Sequence, residues 1–71
     1  MPVTLTIDVE RETDGRWVAE VPELPGVLAY GATEAAAVAT AEALALRVFA
    51  ERLEHGEAGE LVSLIFTRAA A

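Results

Sequence analysis

The sequence predicts one small α+β domain of order β-β-β-α-β, with three antiparallel strands, one long helix on a single sheet face, and a fourth strand. Three observations carry that reading. Apolar and polar residues alternate from Val3 to Glu10, and Trp17, Ala19 and Val21 again put apolar side chains at every second residue, the period of a half-buried strand. Apolar residues then recur at three- and four-residue spacing from Glu34 to Glu54, the period of an amphipathic helix. Turn residues separate these stretches: Asp14-Gly15, Pro22 to Gly26, Gly31 and Gly56.

The first strand is expected over about residues 3–12, with Val3, Leu5, Ile7 and Val9 on one face and Thr4, Thr6, Asp8 and Glu10 on the other. The second is expected over 16–22, with Trp17, Ala19 and Val21 sharing a face. A two-residue Asp14-Gly15 loop would pair Val9 with Glu20 and mix the faces. A three-residue loop, Thr13 to Gly15, pairs Val9 with Ala19 and Ile7 with Val21, so the apolar faces agree. That register also sets Glu12 opposite Arg16 and Asp8 opposite Glu20. Pro25-Gly26 reads as a type II turn, with Leu24 plugged into the core between Pro22 and Pro25. A short third strand follows at 27–30.

Thr33 is the expected N-cap of a helix over 34–54, which should stop at Gly56. The last strand is expected over 61–67, with Arg68 to Ala71 frayed. A right-handed crossover then lays it parallel to the first strand, in sheet order 3-2-1-4.

At 71 residues and 54% hydrophobic composition, with no cysteine to staple it, the chain has more apolar surface than so small an interior needs. On the helix, Ala37, Ala41, Leu44 and Val48 form the sheet-facing stripe, and Val38, Ala45 and Phe49 widen it. Leu46, Phe49 and Leu53 carry apolar character further round, beyond the usual arc. They are expected to form a self-association or partner surface, and the chain is expected to be at least a homodimer, built from the helix flank or an open sheet edge.

The net charge of −7, from 12 acids and 5 arginines, opposes direct binding to nucleic acid and favours a basic partner. Asp8, Glu10, Glu20 and Glu23 gather toward one sheet face as an acidic partner surface. Asp8, Glu10 and Glu20 could also hold Mg²⁺ for nuclease chemistry, a reading ranked below partner binding. His55, the single histidine, suits the negative end of the helix dipole, and Ser63 lies in an apolar strand with no histidine pattern around it. Trp17 reads as packing, with Arg11 able to stack on it across the strands. No catalytic residue, metal site or cofactor is expected. Nothing at the N-terminus reads as a signal peptide and no apolar run approaches membrane-spanning length, so a cytoplasmic protein is expected. The absence of Lys, Asn and Gln beside abundant Ala fits a GC-rich bacterial source.

The run Asp14 to Gly26 (DGRWVAEVPELPG) resembles the start of the HicB-like antitoxin family, in which a hairpin with an aromatic leads through "A-E-[VI]-P-[DE]-L-P-G" to a third strand. Gly31-Ala32-Thr33-Glu34 and Ala41-Glu42-Ala43-Leu44 are similar to that family's helix opening. Pro22, Leu24, Pro25, Gly26, Gly31 and Thr33 carry the likeness as structural positions, and it covers roughly Val3 to Glu57. The resemblance implies a partial ribonuclease-H-like fold and an antitoxin that sequesters a small, basic, mRNA-cleaving toxin of the HicA-like kind. Many members continue into a DNA-binding segment. No such pattern follows the fourth strand here, and no operator contact by this chain is expected. Where the family often has Cys after Pro-Gly, and an acidic pair before the first helix Ala, this chain has Val27 and Ala35-Ala36. A solitary self-associating domain of regulatory role is the alternative reading.

Overall fold

The computed structural model describes residues 1–69. Strands β1 (Pro2–Arg11), β2 (Trp17–Glu20) and β3 (Leu28–Gly31) precede helix α1 (Glu34–Glu54), and β4 (Ser63–Arg68) follows it. The strands form one sheet in the order β3-β2-β1-β4. β1 runs antiparallel to β2 and parallel to β4, and β2 runs antiparallel to β3. Fold class, element order and sheet order are those the sequence predicts, and the helix bounds agree to the residue.

The β1–β2 hairpin takes the three-residue loop. Val9 faces Ala19 and Asp8 faces Glu20. Glu12 N donates to Arg16 O at 2.7 Å and Gly15 N to Glu12 O at 3.0 Å, with Gly15 at φ +93°. Glu12 thus stands opposite Arg16 as expected, but among the described residues their side chains make no ion pair. Asp14 takes the guanidinium instead, its Oδ2 accepting from Arg16 Nε at 2.8 Å and its Oδ1 from Arg16 N at 3.0 Å. These bonds, the backbone one first, hold the Asp14 carboxyl below its usual range. Arg11 stacks over Trp17 at 5.8 Å, as their pairing across the strands suggests.

β2 stops at Glu20, two residues before the expected end, because Pro22 turns the chain away. Val21 N still donates to Val27 O, and Val27 N closes the Leu24-Pro25-Gly26-Val27 turn on Leu24 O, both at 3.0 Å. Gly26 at φ +91° supplies the backbone a type II turn needs, and Leu24 is buried as expected.

Thr33 Oγ1 accepts from Ala36 N at 3.1 Å, capping α1. At the other end Gly56 N donates to Leu53 O and Glu57 N to Arg52 O, at 3.2 and 2.8 Å, the paired closure of a Schellman stop. His55 Nδ1 lies 2.9 Å from Glu51 O, so the ring occupies a helix C-terminus.

The core joins Leu5, Ile7, Ala19, Val21, Leu24, Val27 and Ala29 of the sheet side to Ala37, Val38, Ala41, Ala45 and Phe49 of α1. Ala37, Ala41 and Ala45 are wholly buried, and their small side chains let the helix lie close on the sheet. Phe49 corrects one sequence expectation. It is only 6% exposed, part of the core and not of an outer surface. α1 leans over β3 and β2 and scarcely reaches β4, so Leu64 and Phe66 stay half-buried. Arg68 is not frayed: it continues β4, and its Nη1 donates to Glu34 Oε1 at 2.7 Å. The expected fraying of Ala70 and Ala71 falls outside the described residues. β4 itself begins at Ser63, two residues later than predicted, after Val62 N has bonded to Met1 O. Among the described residues, no helix is long and apolar enough to cross a membrane.

Candidate functional site

Side chains alternate along a strand, so burying Leu5, Ile7, Ala19 and Ala29 under α1 fixes what the other sheet face presents. That face carries Thr4, Thr6, Asp8 and Glu10 from β1, Val18 and Glu20 from β2, and Leu28 and Tyr30 from β3. No described element covers it. The strand register orders the side chains in rows. One row is Asp8, Glu20, Leu28 and the next is Glu10, Val18, Tyr30. With strands about 4.8 Å apart, three carboxylates therefore border an apolar strip of Val18, Leu28 and Tyr30. Leu28 and Tyr30 are 41% and 46% exposed, unusual for residues of that size.

The acids of this face differ in their commitments. Asp8 and Glu20 stand directly opposite each other, a pairing of like charges that costs stability in the isolated domain. Among the described residues neither they nor Glu10 make an ion pair. Glu23, grouped with them on sequence, does something else. Its Oε1 accepts from Thr6 N at 2.9 Å and its Oε2 from Thr6 Oγ1 at 2.6 Å. Since β2 ends at Glu20, Thr6 N–H has no strand partner on that side, and the carboxylate stands in for the missing backbone carbonyl. The hydroxyl and amide of Thr6, in that order, hold the Glu23 carboxyl below its usual range. Glu23 is thus a latch for the Pro22–Gly26 turn and leaves the acidic face to Asp8, Glu10 and Glu20.

The basic residues beside the face are also engaged. Arg16 is tied to Asp14 and lies over the Tyr30 ring at 4.6 Å, which leaves the acids of the next rows uncompensated. On the far side of the domain, Leu46 and Leu53 remain exposed at 49% and 37%, while Phe49, expected with them, is in the core with Arg52 over its ring. The expected helix surface shrinks to two leucines a heptad apart.

The alternation that exposes Leu28 and Tyr30 was available in the sequence, because Val27 and Ala29 alternate with them. A strand of four apolar residues, however, gives no polar contrast to say which pair faces water. Ile65 is missed for the same reason between Leu64 and Phe66.

Among the described residues no three His, Asp or Glu side chains converge to hold a metal ion, since Glu23 is turned to Thr6 and the remaining acids spread across two strands. His55 ends the helix and Ser63 opens β4, with no hydrogen bond between them. Pro22, Leu24, Pro25 and Gly26 build the turn, Gly31 sits beneath the first helical turn, and Thr33 caps it, so all six motif positions serve the fold. No protein-family model matches the chain, and searches of curated proteins and of solved structures find no match either.

Proposed function

We propose that the domain works by docking a basic partner protein on the outer face of its sheet, as an antitoxin of the HicB-like kind that sequesters a small mRNA-cleaving toxin of the HicA-like kind. One observation carries this reading: an uncovered sheet face where Asp8, Glu10 and Glu20 border half-buried Val18 and exposed Leu28 and Tyr30. Such a face suits a partner presenting Arg or Lys beside apolar side chains. The carboxylates would steer encounter, and the aromatic and leucine would supply the buried contact. The strain of opposing Asp8 and Glu20 would be relieved when a guanidinium lies between them. No chemical step is assigned to the chain, and contact with nucleic acid is left to the partner.

The test uses a small basic toxin of the HicA-like kind, titrated against the intact domain and followed by the single Trp17 or by calorimetry. Tight binding that weakens as salt rises, and that is lost in Glu20→Arg with the fold retained, is expected. Binding indifferent to Glu20→Arg and Tyr30→Ala, or a partner whose RNA cleavage continues when saturated with this chain, would overturn the proposal.

A further inference from the structure

β4 is an edge strand, and the direction of its amides can be traced. Thr6 N–H points toward β2, where Glu23 receives it, so the odd-numbered residues of β1 turn toward β4. Ile7 O accordingly accepts from Ala69 N at 2.9 Å. Amide directions alternate along a strand, so Ser63, Ile65 and Thr67 bond to β1 and the N–H and C=O groups of Leu64, Phe66 and Arg68 face outward. Among the described residues nothing caps them. The usual guards of an open edge are also missing: β4 has six residues with no Pro, no Lys and no inward-pointing acid.

We propose that β4 pairs antiparallel with β4 of a second copy, about a two-fold axis through Ile65, to join two four-stranded sheets into one of eight. Outward amides must meet outward amides, which restricts the register. Centring on Phe66 sets Leu64 against Arg68, and centring on Leu64 sets Ser63 against Ile65. Only the axis at Ile65 puts Ile65 on Ile65 of the second copy, Leu64 on Phe66 and Ser63 on Thr67, like with like on both faces. Ile65 is 56% exposed in the single chain, and the second copy would flank Leu64 and Phe66 where α1 leaves them open.

Charge selects the same occupant. The chain carries −7 overall, hence −8 apart from Arg68, so two copies repel across most of their surface. From Leu61 to Ala69 there is no acid, and the one charge is Arg68. A two-fold pairing also closes on itself. The edges left over are the short β3 strands of four residues, so growth stops at two copies.

Sedimentation equilibrium of the full chain at about 100 µM, where a micromolar association is saturated, is expected to give twice the 7.5 kDa chain mass. Ile65→Lys sets two ammonium groups face to face on the axis and should weaken the dimer about 100-fold or more, with an unchanged circular dichroism spectrum. In this cysteine-free chain, Ile65→Cys should oxidise quickly to a cross-linked dimer, because facing Cβ atoms at such a position lie about 5 Å apart. Ser63→Cys should not, its symmetry mate being roughly 13 Å further along the strand. A monomer at that concentration, mass that climbs without limit, a dimer untouched by Ile65→Lys, or cross-linking through Leu46→Cys in place of Ile65→Cys would each overturn the proposal.

Discussion

Gly31 is the position where adding one methyl group should do most harm. A Cβ there would lie 2.5 Å from Ala37 N, against an ordinary contact of 3.4 Å or more, and 3.0 Å from both Ala36 C and Ala37 Cα. All three atoms are helix backbone, so no side chain can swing aside, and α1 would have to lift by about 0.9 Å at its first turn. That turn holds Ala37, fully buried, and the Thr33 cap, so lifting it opens the core at the point of closest helix–sheet approach. Overpacking typically costs 1–3 kcal/mol, and a rigid neighbour places Gly31→Ala near the upper end, about 3 kcal/mol. For a domain this size that is a fall of about 12–24 °C in Tm. Thermal and urea unfolding followed by circular dichroism measure it. Gly15→Ala is the control: its φ of +93° penalises a side chain but nothing lies within 4 Å, so about 1 kcal/mol is expected. Equal losses for the two variants would refute the steric argument and leave only a general cost of replacing glycine.

Phe49→Ala should remove about 3–5 kcal/mol, a large share of what a 71-residue domain possesses, whereas Leu46→Ala should stay within about 0.5 kcal/mol; urea midpoints separate core from surface. The Glu23 carboxyl is held below its ordinary value of 4.5, so its latch supports the fold above that pH and is lost as pH falls through the lower folded value. Stability measured from pH 7 down to 3 should therefore drop below about pH 4.5 in the native chain and drop less steeply in Glu23→Gln. Glu20→Gln removes the like-charge opposition to Asp8 and should stabilise the isolated domain by about 0.5 kcal/mol while weakening capture of a basic partner. A destabilised Glu20→Gln would show that the pair is already satisfied within the domain.

Much of the fold was legible because local signals agreed with one another. The three-residue loop followed from matching the faces of Val9 and Ala19, and both helix ends from Thr33 and Gly56. The parts that escaped depend on distant chain. Phe49 sits beside Leu46 and Leu53 on a helical projection, and only the lean of α1 over β3 and β2 decides that it is covered while they are not. Glu23 looks like one more surface acid until β2 is seen to end at Glu20, which strands the Thr6 amide some seventeen positions earlier. The acidic face was half legible: its carboxylates follow from alternation, but its apolar border comes from a strand too short to announce which side is wet.

The central position of β1 has a consequence for the order of assembly. Its contacts with β2 and those of β2 with β3 are made by neighbours in the chain, but Pro2 meets Ser63 only after the whole helix has been laid down. The entropic toll of closing that loop falls on β4 alone, so the last strand should be the latest to dock and the earliest to open. Amide exchange would then divide the sheet into a slow interior seam and a quicker outer ribbon, and whatever clamps the outer ribbon would set how long the molecule stays intact.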